Sequence, residues 1–203
     1  MKKNIFKENK KYTFRDYFSL TNPIEEIVAE FGYAFSLKVI LLPKSKNCNV
    51  ESVSRLKKSY YNVLPRISLN SDTAKREFLI APVLFELAKA TDAKINIEYP
   101  IEIDEKLSGY LDYLVRSKQE LIVIEAGKGD IDRGFKQLAS ELIALDNYED
   151  ETDGYLYGVV TIGEMWVFCV LDRKEKKITR DMRNYTVPED LEDIFRILVG
   201  IMG

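Results

Sequence analysis

Histidine is absent from the 203 residues, and that one omission removes His-based triads, His general bases and nearly all zinc chemistry. Cysteine is almost absent. Cys48 and Cys169 stand in unrelated contexts without partners at zinc-site spacing, so they read as reduced thiols of a reducing compartment. No apolar run approaches the roughly 18 residues of a membrane span. The opening Met1-Lys2-Lys3-Asn4 leads into further charge rather than the apolar stretch of a signal peptide. The expectation is a cytoplasmic protein with no membrane partner. Neither sign of charge dominates, since 30 basic and 33 acidic residues leave a net −3. Phosphate binding rests on local clusters of Lys and Arg, so this balance neither announces nor excludes a nucleic-acid partner. Repeats and low-complexity segments are also missing.

The length fits one domain with an elaborated N-terminal part, and 46% hydrophobic against 31% charged residues describe a chain able to bury a sizeable core. The run holding Lys2, Lys3, Lys7, Lys10 and Lys11 reads as a solvated tail or, less often, as an arm resting on nucleic-acid phosphates. Asn22-Pro23 caps a helix reaching Gly32, and Ala34 to Leu42 reads as a strand. Val50 to Leu64 has helical spacing. A second helix begins after Ser71-Asp72, and Pro82 bends or interrupts it. The period then shortens to two residues through Ile95, Ile97, Tyr99, Ile101 and Ile103. Strands follow at Gly109–Val115 and Glu120–Ala126, the latter apolar on both faces as a central strand requires. A helix over Ile131–Tyr148 precedes strands at Tyr155–Ile162 and Met165–Leu171. A short edge strand near Ile178 and a closing helix from Pro188 to Met202 complete the chain. The order predicts an α/β fold: a mixed, partly parallel central sheet flanked by helices. Residues 1–65 form an N-terminal α/β extension packed on a core spanning 66–203.

Two carboxylates stand where structure alone would not ask for charge. Asp112 lies inside a strand, where aspartate is depleted. Glu125 ends the most apolar strand, where a carboxylate is costly unless paired, protonated or bound to a cation. The two strands are consecutive, so the acids can converge on one point. Oxygen ligands without His or Cys favour Mg²⁺ or Mn²⁺. Glu77 could add a third carboxylate or be a plain exposed helix charge. The bland alternative for Asp112 and Glu125 is pairing with Lys or Arg across the sheet.

Glu77, Gly109-Tyr110-Leu111-Asp112, Ile124-Glu125-Ala126-Gly127-Lys128 and Gln137, in that order, resemble the PD-(D/E)xK nuclease superfamily. The stretch from Gly158 to Phe168 is similar to a segment of its restriction-enzyme-like members, and the resemblance covers roughly residues 70–172. It implies a restriction-endonuclease-like core, a divalent metal held by Asp112 and Glu125, Glu77 as accessory acid, and phosphodiester hydrolysis as the ancestral chemistry. The family pattern sets lysine two residues after the acid, where both side chains share one strand face. Here Gly127 holds that position and Lys128 follows. Either a bulge at Gly127 re-aims Lys128 as a catalytic cation, or the pocket has no catalytic lysine.

Gln137 either orients water or phosphate or is a solvent-facing polar residue. Lys57, Lys58, Arg133 and Lys136 are candidate phosphate contacts, each singly also readable as surface charge. Trp166 reads as core or pocket wall. The leading expectation is a Mg²⁺-dependent nuclease acting on DNA. The rival is a catalytically degenerate module of the same fold that binds nucleic acid or protein, and a homodimer is compatible with either.

Overall fold

The computed structural model describes residues 5–117, 121–126, 129–150 and 153–203, with the side chains of 121–126 outside the description. The helices are α1 (Phe14–Phe18), α2 (Ile24–Ala29), α3 (Glu51–Val63), α4 (Asp72–Lys75), α5 (Ala81–Ala90), α6 (Ile131–Tyr148) and α7 (Leu191–Met202). The strands are β1 (Ala34–Lys38), β2 (Lys94–Glu102), β3 (Ser108–Arg116), β4 (Leu121–Ala126), β5 (Tyr155–Thr161), β6 (Met165–Asp172), β7 (Lys177–Asp181) and β8 (Tyr185–Thr186).

The strands form one mixed sheet in the order β1-β7-β6-β5-β4-β3-β2, with β8 added to β6. β4 pairs parallel with β5, and α6 makes the crossover that a parallel pair needs. β1 pairs parallel with β7, from Ala34 beside Lys177 to Lys38 beside Asp181. The segment around Ile178 is therefore not an edge. It lies between β6 and β1, and its isoleucine is fully buried. Sequence pattern misplaced it because its partner is more than a hundred residues away.

Apolar side chains collect on both faces of the sheet. One core joins Val53 and Tyr60 of α3, Leu84 and Leu87 of α5 and Ile194 and Leu198 of α7 to Tyr113, Val159, Trp166 and Phe168 of the strands. The other joins Phe14 and Tyr17 of α1, Ile27 of α2 and Leu138 and Leu142 of α6 to Leu111, Leu114, Val160 and Cys169. The result is three layers, helices on a sheet on helices. Gly158 lets α6 lie close, since a Cβ there would meet Cys169 Sγ at 2.7 Å and Leu142 Cδ1 at 2.9 Å. Trp166 is core as expected, its indole N–H donating to the Gly163 carbonyl at 3.0 Å.

The N-terminal segment corrects the solvated-tail expectation from residue 5 onward. Phe6 and Tyr12 are buried, and their rings meet edge-on at 5.1 Å. The Tyr12 N–H donates to the Glu105 carbonyl at 2.7 Å, tying the segment to the β2–β3 turn. Lysines at 7, 10 and 11 hid the two aromatics from a reading by charge. Thr13 then caps α1, with its backbone N–H and hydroxyl both donating to Asp16.

Candidate functional site

β3 and β4 run antiparallel with Tyr113 opposite Ile124, Leu114 opposite Val123 and Val115 opposite Ile122. The pairing ends at Tyr113 and Ile124, and the same register continued by one residue would set Asp112 level with Glu125. Residues level across an antiparallel pair have Cβ atoms about 4.5–5.5 Å apart. The two sequence-predicted acids are thus each the next residue after the end pair of this ladder, near the carboxyl end of β4. The Glu125 side chain, and all of Gly127 and Lys128, lie outside the described residues, as does the question of a bulge there.

On its other side β3 pairs with β2, with Ile97 opposite Tyr113 and Tyr99 opposite Leu111. Between those rungs stand Glu98 and Asp112. Both strands turn over at this point. Ile95 packs into the α5/α7 core while Tyr99 packs into the α6 core, although a period of two puts both on one face. Leu111 and Tyr113 part in the same way. Glu98 takes the left-handed conformation, φ 51°, that such a reversal demands and that costs a non-glycine residue about 1–3 kcal/mol. Asp112 sits at the crossover, so it meets both layers.

From one layer comes Arg76. Pro82 has no N–H for the Phe78 carbonyl and its ring crowds that turn, so the helix widens into a π turn over Arg76–Ile80 between α4 and α5. Arg76 on this turn sends Nη2 to 3.2 Å from Asp112 Oδ2. Its guanidinium also stands 5.9 Å from the Tyr113 ring centre. Burial pushes the Tyr113 phenol up, an effect that the Arg76 charge partly offsets. Asp112 is only 8% exposed, so this cation is a substantial part of what stabilises it. Glu77, the next residue, is exposed on the same turn.

From the other layer comes α1. Thr13, Phe14 and Arg15 close a recess with Glu98, Gly109, Tyr110 and Asp112 that encloses about 450 Å³. Gly109 is required at its floor: its φ is 142°, and a Cβ would meet Phe14 Cδ2 at 2.8 Å.

Gln137 is not solvent-facing. It is buried on α6, and its amide donates to Oε1 of the fully buried Glu141 at 3.1 Å. Gln137 Oε1 is a buried acceptor with no hydrogen-bond partner among the described residues. The proposed phosphate contacts scatter. Lys136 donates to the Leu20 carbonyl at 2.8 Å, and Lys57 to the Glu189 carbonyl at 2.5 Å. Arg133 pairs with Asp130 at 3.4 Å, and Lys58 is an exposed residue of α3.

Sequence reasoning missed Arg76, Glu98 and Arg15. Arg76 neighbours an acid that attracted the motif reading, and only the π turn reveals which side chain reaches the strand. Glu98 had a signal in its place one residue past Ile97, but only the β2–β3 register sets it level with Asp112. Among the described residues no three Asp, Glu or Cys side chains converge as a metal site, a count that omits the Glu125 side chain. Asp112 is a nearly buried carboxylate that Arg76 already pairs with a positive charge, and Glu125 follows the end pair of the β3–β4 ladder. No family model and no curated protein sequence matches the chain.

Proposed function

We propose that the chain is a divalent-metal-dependent phosphodiesterase acting on DNA, built on a restriction-endonuclease-like core. The observation that carries this reading is the pairing of β3 with β4, whose end pair, Tyr113 with Ile124, directly adjoins Asp112 and Glu125, with Glu125 beside Val160 of the parallel neighbour β5. A hard cation suits two oxygen ligands with no imidazole or thiolate beside them. Asp112 and Glu125 would hold it, with Glu77 as the accessory acid. When bound, Mg²⁺ or Mn²⁺ polarises a phosphoryl oxygen and makes an attacking water more acidic.

The protein's own groups do the rest. Arg76 fixes the Asp112 carboxylate by an ion pair that also limits its rotation. Lys128 would offset charge developing on the phosphate, and Gln137 presents a buried carbonyl oxygen to orient water. Arg133 and Lys136 of α6 and Lys57 and Lys58 of α3 lie on opposite faces of the sheet, so they are two separate candidate phosphate contacts, with Lys57 and Lys136 needing release from their carbonyl partners.

A second reading has its own support. Arg76 already supplies Asp112 with a cation, as a degenerate site retained for binding would require. Titration calorimetry with Mn²⁺ on wild type and Asp112→Ala, beside plasmid nicking, separates the two. Metal binding and nicking that both vanish in the variant support hydrolysis. Wild type that binds no Mn²⁺ and cuts nothing supports the degenerate module.

A further inference from the structure

The recess beside Asp112 has the size of a small-ligand site. It encloses about 450 Å³, within the roughly 300–1,000 Å³ range of small-ligand sites, which matches one nucleotide rather than a helix. Its walls carry complementary chemistry. Tyr110 is 63% exposed although it lies in a strand of the sheet, which leaves an aromatic face free at the opening. Arg15, exposed on the first turn of α1, lines the same recess and offers guanidinium donors that suit a phosphate. Glu98 repels phosphate from its own wall and supplies an acceptor for amino groups of a base. Asp112 closes the inner end.

We propose that this recess binds one unpaired nucleotide adjoining the phosphate to be cut, with the base on Tyr110 and a flanking phosphate on Arg15, so that the substrate is single-stranded or locally unpaired DNA. The inference rests on the reading of Asp112 as the centre of a phosphodiesterase site. A paired base cannot enter a recess of this size without leaving the stack, which costs a few kcal/mol and is least for unpaired strands. The strained Glu98 backbone shapes this cavity, because the strand reversal that it permits brings residues 98 and 112 to the same walls.

The test is fluorescence anisotropy of a labelled 15-nucleotide deoxycytidine strand with the full chain in Ca²⁺, compared with a blunt duplex of equal length. Tyr110→Ala and Arg15→Ala are the variants, and since both residues are exposed each should keep the wild-type melting temperature. The expected result is tighter binding of the single strand than of the duplex. Tyr110→Ala should weaken single-strand binding about 5- to 100-fold, the range for one stacked base, and Arg15→Ala should weaken it about five-fold while lowering its salt dependence. Wild-type affinity in both variants, equal affinity of wild type for strand and duplex, or no single-strand binding overturns the proposal. Nicking that needs Asp112 alongside unchanged affinity in the two variants removes the recess alone. Nicking that survives Asp112→Ala alongside weakened affinity in the two variants removes the hydrolytic reading alone.

Discussion

Arg76 reaches Asp112 from a π turn, Nη2 to Oδ2 at 3.2 Å, and so bridges the helical layer to the point where β2 and β3 turn over. Arg76→Met removes the partner of a carboxylate only 8% exposed. Fully buried pairs broken in this way lose about 3–5 kcal/mol, and the partial exposure of Arg76 lowers the expected loss to about 1–3 kcal/mol. Urea unfolding measures it. On the metal-site reading, Mn²⁺ raises the melting temperature of Arg76→Met more than that of wild type. Equal shifts would mean that the arginine and the metal do not compete for this carboxylate.

A second ion pair is structural. Asp146 of α6 accepts from Arg173 Nε at 2.7 Å and from the Tyr33 hydroxyl at 2.5 Å, joining α6 to the end of β6 and to the start of β1. Asp146→Ala leaves the Arg173 guanidinium buried without its carboxylate and should cost about 3–5 kcal/mol. Tyr33→Phe removes one hydrogen bond to a charged acceptor and should cost about 1.5–3 kcal/mol. Chemical denaturation with both single variants and the double variant reads the coupling.

Much of this architecture is legible in the sequence, because local pattern and tertiary demand agree there. The 3.6-residue period from Ile131 to Tyr148 delimits α6 at both ends, and a crossover helix of that length makes β4 and β5 parallel. Pro82 announces the disturbed helix, and the apolar run Leu121–Ile124 announces a central strand. Long-range choices are not legible. Nothing local says that β1 returns to cover β7, or that Phe6 is buried among lysines. The candidate acids Asp112 and Glu125 were visible as misplaced charge. Glu98 and Arg76 were not, since one depends on a left-handed residue in a strand and the other on a widened helical turn.

Gly158 and Gly109 stand where packed neighbours leave no room for a Cβ. Gly158→Ala drives a methyl group to 2.7 Å from Cys169 Sγ and 2.9 Å from Leu142 Cδ1. Overpacking of this kind costs about 1–3 kcal/mol, so a drop in melting temperature is expected. Gly109→Ala meets the Phe14 ring at 2.8 Å with the backbone at φ 142°. It should destabilise the fold by a similar amount and also reshape the recess, lowering oligonucleotide affinity, whereas Gly158→Ala leaves that affinity unchanged.

Burial pushes the Cys169 thiol up to about 12 from an ordinary value of 9.0. The folded chain therefore keeps a proton that the unfolded chain releases above 9.0. Between 9.0 and about 12 the unfolded state binds fewer protons, so this contribution to stability is complete below 9.0 and declines as pH rises. At pH 10.5 the loss should be about 2 kcal/mol. Urea unfolding at pH 8 and pH 10.5 should show a smaller decline in Cys169→Ala than in wild type. Alkylation at neutral pH, read by mass spectrometry, should modify the half-buried Cys48 and spare Cys169.

The central claim is that Asp112 belongs to a working metal centre, and nicking of supercoiled plasmid in Mn²⁺ by wild type and Asp112→Ala tests it most directly. The account predicts metal-dependent nicking by wild type and at least a 100-fold loss in the variant, on the order of the few kcal/mol that a metal supplies to phosphoryl transfer. Nicking at the wild-type rate by Asp112→Ala would contradict it.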